Sequence, residues 1–322
     1  MNSLARSVAS GTRRERAAYA LFGAYAADAA ALGLHWLYDA DRVASLSPLA
    51  FRTPDAADFE GCKGVFVHGG KRAGEVSHYG AQLRVAAQSI IARRGFDAQD
   101  HAARFVAAFG PCGAWRGYAD RPTKMLLANI ERGGEPAGAE DDQIPGLSRL
   151  VAPAVAGIQD VDAFLAATAN HPDARAFAPA VMAALGAAID GATPREAAEA
   201  GAAAASGAER EALRAAILDG GDAAAFAGVA GRACPIRQSA PVIFHILAHA
   251  GGYRGAVEAN IRAAGDSCGR ATIVGAVFAA AGVAGGSSEI PLDWMLRLDD
   301  GADLWAESLA LAALRSRQEP RP

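Results

Sequence analysis

Paired cysteines are missing from this chain. Four cysteines occur in 322 residues, Cys62, Cys112, Cys234 and Cys268, and none forms a CxxC pair. A disulfide scaffold and a zinc ribbon are both excluded, and reduced thiols in a cytoplasmic protein are the expectation. Runs of Lys and Arg are also missing, and the net charge is −4 with a pI near 6.0. That excludes a strongly basic nucleic-acid binder. Alternating β-branched and aromatic residues are scarce, residues 64–67 being the one short strand candidate. No fixed-period repeat of the solenoid kind is present. The apolar stretch 271–284 is too short to span a bilayer and reads as a buried helix. Arg13-Arg14 before an alanine-rich stretch resembles a twin-arginine export signal, but Glu15, Arg16 and Asp28 interrupt the apolar core that such a signal needs. No membrane span is expected.

What is abundant is apolar and helix-forming. Hydrophobic residues make up 52% of the chain and charged residues 20%, so disorder is excluded and a sizeable core can form without staples. Alanine dominates, and alanine is the best helix former. Boundaries are readable. Asp97 opens a helix with Ala102, Phe105, Val106 and Phe109 on one face, closed by Gly110-Pro111. Pro172 and Asp173 open a run to Ile189, and Thr193-Pro194 with Glu196 caps the next, ended at Gly201 or Gly207. Pro235 leads into another, Gly265-Asp266 into the apolar one, and Pro291 into a short one. The reading is an all-α compact single domain over residues 14–315, with flexible termini at 1–13 and 316–322 and loops at 53–74 and 133–143.

Three segments carry the candidate chemistry. In the first, Asp28 lies in an apolar helix, where an unpaired carboxylate is costly. His35 follows seven residues later, two helical turns on, and so shares a face with Asp28; Trp36 and Tyr38 are candidate ligand contacts beside it. In the second, Ser77, His78, Tyr79 and Gln82 gather at a helix N-terminus, where free N–H groups favour anions. Ser77 can serve as the cap. In the third, Asp266 is an N-cap with Ser267 and Cys268 behind it, and Arg270 is placed for an i,i+4 pair with Asp266. Two further segments offer Tyr118, with Trp115 and Arg116 near it, and the donors Arg237 and Gln238; each taken alone reads equally as a surface turn.

In order and together, these segments resemble the ADP-ribosylglycohydrolase superfamily, the fold of the dinitrogenase-reductase-activating glycohydrolase, from about Arg14 to Gly286. The resemblance rests on the G-D-A-L-G-like core at residues 27–33, the T-D-D-like position at residues 77–79 and the G-D-x-D-T-like helix start at Gly265. It implies an all-α domain that holds two magnesium ions and hydrolyses the bond from ADP-ribose to a protein side chain or small molecule. At the second and third positions Ser77-His78-Tyr79 and Ser267-Cys268-Gly269 replace most of the usual carboxylates, so no binuclear magnesium centre and no other cofactor is expected. The A-D-A-x-x-x-x-H-W-x-Y-D run from Ala27 to Asp39 is similar to the J-type crystallin branch.

The reading implied is a glycosidic-bond hydrolase with Asp28, Asp266, His35 and His78 as acid–base candidates. Trp36, Tyr38, Ser77, Tyr79, Tyr118, Arg237, Gln238, Ser267 and Arg270 are its ligand contacts. Its partner would be a small-molecule or ADP-ribosylated substrate. The alternative is a non-catalytic binding or structural protein. Arg270 is expected to place its guanidinium where a metal would sit. The rival arrangement is a single softer site made of His78, Cys268 and an aspartate.

Overall fold

The computed structural model describes residues 11–134, 136–283 and 289–315. Among these residues the chain is helical with no strand. The helices are α1 (Arg13–Ala31), α2 (Ala40–Ser45), α3 (His78–Arg93), α4 (Ala98–Phe109), α5 (Arg121–Arg132), α6 (Pro145–Ser148), α7 (Val151–Ala156), α8 (Asp162–Thr168) and α9 (Pro172–Asp190). They continue as α10 (Pro194–Ala204), α11 (Gly207–Leu218), α12 (Ala223–Ala230), α13 (Ile236–His249), α14 (Gly252–Arg262), α15 (Ser267–Gly282), α16 (Leu292–Met295) and α17 (Gly301–Arg315).

Helix α1 is the axis. Thr12 caps it in a reciprocal box with Glu15, and every residue from Ala20 to Ala31 is buried. It packs along α15 and against α3, α7, α9, α14 and α17. Both central helices are made of small residues, so their backbones approach closely. A side chain at Gly23 would run into Ala279 and the Gly275 carbonyl, and one at Gly275 would run into Ala27 and the Gly23 carbonyl. Close approach multiplies dispersion contacts that alanines alone supply sparingly. The stretch Arg13–Leu34 is by length and composition apolar enough to cross a membrane, yet 94% of its most apolar window lies inside the protein. A smaller core of Val85, Phe105, Leu126 and Ala139 joins α3, α4 and α5.

Most expected boundaries coincide with the helices, and the exceptions have local causes. Residues 64–67 form no strand; they contribute one antiparallel bridge, Leu37 to Gly64, because Val65 and Phe66 are exposed and lack a partner edge. The inward face of α4 is His101 and Phe105, while Val106 points to solvent. Gly201 does not end α10. It sits inside that helix because a Cβ there would strike Phe244 and the Ala180 carbonyl. The expected termini lie mostly outside the described residues, but Thr12 and Arg13 belong to the start of α1.

Candidate functional site

Three N-terminal or C-terminal helix ends meet around the C-terminal end of α1. Helix α1 stops at Ala31 and passes through one 3-10 turn, Leu32–Leu34. His35 therefore leaves in an extended conformation and does not lie two helical turns above Asp28. Trp36 follows with φ of 65°, a left-handed conformation that is strained for a bulky side chain. The strain is held by an interlock of two chain segments. Trp36 N–H donates to the Gly265 carbonyl at 2.8 Å, and Gly265 N–H donates to the Leu37 carbonyl at 2.6 Å. Gly265 is itself left-handed, and a side chain there would strike the Arg232 carbonyl. This clamp fixes His35 next to the start of α15.

Asp28 is fully buried and is met by the start of α3. Ser77 donates its backbone N–H to Oδ2 at 2.7 Å and its hydroxyl to Oδ1 at 2.5 Å, and its Oγ accepts the Tyr79 N–H. Gly80 makes room, since a Cβ there would run into the Asp28 carboxylate. Burial pushes the Asp28 carboxyl up to about 6, with the Ser77 bonds and then His78 and Lys71 opposing it. Asp266 caps α15 by accepting the Gly269 N–H, and Tyr79 donates its hydroxyl to Oδ2 at 2.9 Å. Burial raises its carboxyl also. Asp266 Oδ1 is 3.7 Å from His35 Nδ1, which also receives the Cys268 N–H at 3.3 Å.

The imidazoles form the centre. His35, His68 and His78 are all buried, and one ligand atom from each lies within 4.8 Å of the others. Burial holds the His35 imidazole well below its ordinary range, and holds His68 to about 3, with His78 and Lys71 adding to the effect on His68. Asp120, the N-cap of α5, sits 3.4 Å from His78 Nε2. Burial alone would raise its carboxyl, but His78 and Thr123 hold it down to about 2. Gln82 spans to Thr123 at 2.9 Å. Trp36 and Tyr118 close the outer side. Their rings meet edge-on at 5.1 Å, and each lies edge-on to His78, at 5.9 and 5.6 Å. Lys71 stacks 4.1 Å over the Trp115 ring at the rim.

The structure brings together Asp28, His35, Ser77, His78, Tyr79 and Asp266, with Trp36 and Tyr118 against them. Tyr38 sits at the edge, its hydroxyl 4.0 Å from Cys234 Sγ. Ser267 turns its hydroxyl to the Ala31 carbonyl and holds the helix junction. Arg237 and Gln238 lie elsewhere. Arg237 bridges Asp173 and Glu209 at the surface, and Gln238 accepts the Ala233 N–H. Arg270 departs from expectation. Its guanidinium donates to Asn260 Oδ1 at 2.9 Å and to the Ala264 carbonyl at 2.5 Å, so it braces the left-handed turn before Asp266. The reason is local: residues 260–264 end a helix, and their unpaired carbonyls attract a cation. Cys268 turns its thiol to the Asp28 backbone carbonyl at 3.6 Å. Sequence reasoning missed His68, which sits in a loop with no periodicity to mark it, and Asp120, whose Asp-x-Pro-Thr helix start was a readable cap.

With this geometry in hand, the chain can be set beside known proteins. The ADP-ribosylglycohydrolase family profile matches residues 9–322. No curated protein sequence matches. Among solved structures, a chain described as an ADP-ribosylglycohydrolase-related protein complex superposes with a TM-score of 0.72 at 17% identity, over 94% of this chain and 99% of that one. At that identity the likeness is one of fold.

Proposed function

From the premise that the chain belongs to the ADP-ribosylglycohydrolase family, we propose that it hydrolyses an ADP-ribosyl or related N- or O-glycosidic linkage at the centre around Asp28 and Asp266. The observation that carries this is the meeting of two buried carboxylates from distant segments with a set of buried imidazoles. Glycosidic cleavage passes through an oxocarbenium-like state and needs a proton donor for the leaving group and an anion to stabilise positive charge. Asp28, whose carboxyl burial lifts to about 6, can hold a proton near neutral pH and act as the acid. Asp266 supplies the stabilising carboxylate. His35 and His78 are the candidate proton carriers between them. Trp36 and Tyr118 offer ring faces and edges to a sugar or base.

The binuclear magnesium centre that the family resemblance implies does not fit these residues. Asp28 already accepts two bonds from Ser77, and Asp266 accepts from Gly269 and Tyr79. His78, Tyr79 and Cys268 stand where further oxygen ligands are needed. No step is therefore assigned to magnesium.

The test is turnover of ADP-ribosyl-arginine, ADP-ribosyl-serine and free nucleotide conjugates by the wild type and by Asp28→Asn. Removal of a general acid is expected to cost on the order of 100- to 10,000-fold in rate, with ligand binding retained. Full turnover in Asp28→Asn overturns the assignment. A second reading is favoured by one observation: both carboxylates are engaged by internal hydrogen bonds and have no exposed surface. That suits a non-catalytic crystallin-like protein, and its signature is ligand binding without turnover of any of these conjugates.

A further inference from the structure

We propose that His35, His68 and His78 form a mononuclear site for a borderline divalent transition-metal ion, with zinc the best fit. The three side chains come from three separate stretches: the clamp after α1, the loop at residues 60–77 and the first turn of α3. Each is buried, with relative exposures of 1%, 3% and 0%. Ring centroids stand 5.3 to 5.8 Å apart, and one ligand atom from each falls within 4.8 Å of the other two.

Their nitrogens are also unclaimed. His35 Nε2 and both ring nitrogens of His68 and His78 have no hydrogen-bond partner. Buried polar atoms without partners are costly and uncommon; with His78 Nε2 facing Asp120, each of the three rings still has a nitrogen without a hydrogen-bond partner, and these three call for a shared occupant. A cation that takes one lone pair from each ring removes the cost. A second layer is in place as well. His78 Nε2 faces Asp120 Oδ2 at 3.4 Å, and His35 Nδ1 stands 3.7 Å from Asp266 Oδ1 while accepting the Cys268 N–H at 3.3 Å, so ligation through Nε2 requires the proton to move to Nδ1, where it turns to Asp266 and gives up the Cys268 bond. Ligating histidines characteristically turn their other nitrogen to a carboxylate, which fixes tautomer and ring orientation. His35 would then ligate through Nε2 and His78 through Nδ1.

Three imidazoles and no first-layer carboxylate select zinc or a similar ion over magnesium or calcium, which prefer oxygen. Three protein ligands leave one of four tetrahedral positions open, the pattern of sites that bind water or a substrate. Tetrahedral zinc with bonds of about 2.0–2.1 Å needs nitrogens about 3.3 Å apart, so binding draws the rings inward. The inference deepens the hydrolase reading by turning His35 and His78 from proton carriers into ligands. It is measured without turnover, so either can fail alone.

The test is metal content and titration of the full chain. Chelator-treated protein is titrated with zinc by calorimetry and with cobalt by visible absorption, with magnesium as the control. One zinc per chain, intense cobalt bands of tetrahedral type and no heat with magnesium are expected. His68→Gln, a loop position outside the helices, is expected to weaken zinc by more than about 100-fold, beyond the 10–100-fold effect of an outer-layer partner. Asp120→Asn is expected to weaken it within that smaller range. Wild-type protein that takes up no zinc overturns the proposal. So does uptake that survives unchanged in a folded His68→Gln. Should that variant not fold, cobalt spectra of the wild type decide alone: octahedral oxygen-type bands, or none, overturn it.

Discussion

Gly80 occupies the one position on α3 where a single methyl group meets a buried charge. A Cβ there would collide with Asp28 Oδ2 and come within 2.8 Å of Val76 Cβ. Helix propensity favours alanine over glycine by about 1 kcal/mol, so an unobstructed site would gain stability from the change. Here the carboxylate must move off the Ser77 hydroxyl, and overpacking costs about 1–3 kcal/mol. The overpacking cost outweighs the propensity gain, so Gly80→Ala is expected to lower the unfolding free energy by about 1 kcal/mol in denaturant titration. Gly186→Ala, on α9 with nothing near its would-be Cβ, is expected to be neutral or stabilising. Equal behaviour of the two variants would show that Asp28 is not tightly held. The same contrast explains what could be read from residue order. Asp28 stood out because a lone carboxylate among alanines needs a partner, but nothing in the sequence says the partner is a serine cap 49 residues away.

Helix identity was largely legible, since caps such as Thr193 with Glu196 and Asp97 are local signals. Helix endings set by tertiary contacts were not. The break of α1 before His35 is imposed by the clamp to Gly265, 230 residues downstream in the fold's closing segment. Arg270 reads as an i,i+4 partner of Asp266 on a bare helix, yet the carbonyls of Asn260 and Ala264 take its guanidinium. His68 belongs to a loop whose path only the assembled helices determine. The contact between α1 and α15 belongs to this scale too. Gly275→Ala should gain helix propensity, but the added methyl lies against Ala27 and the Gly23 carbonyl. Two helices whose backbones touch cannot part locally without opening the core, so a net loss of about 2 kcal/mol is expected. Thermal melting checks it: a midpoint several degrees lower is predicted, and an unchanged or raised midpoint would show that the helices yield.

Stability of the whole molecule should depend on acid in a direction that the buried imidazoles set. His101 is wedged between Phe96, Phe105 and Phe164. Burial, with Arg149 nearby, holds its imidazole down to about 3 from an ordinary 6.5. The native state thus refuses a proton that the unfolded chain accepts. Its contribution is fully present above about pH 6.5 and is lost as pH falls toward 3. Near pH 4 the loss is about 3 kcal/mol at the standard 1.36 kcal/mol per unit. His101→Phe should flatten that part of the pH–stability curve, and an unchanged slope between pH 6 and 4 would contradict it. The order of events during synthesis follows from the central helix pair. Cys268 and Asp28, whose atoms touch, are 240 residues apart, and α1 is apolar enough to enter a bilayer. At about 5–20 residues per second, translation leaves α1 outside the ribosome without its main partner for roughly 12–50 seconds. Nascent chains should therefore depend on a chaperone that shelters an apolar helix, long after the first 30 residues have emerged.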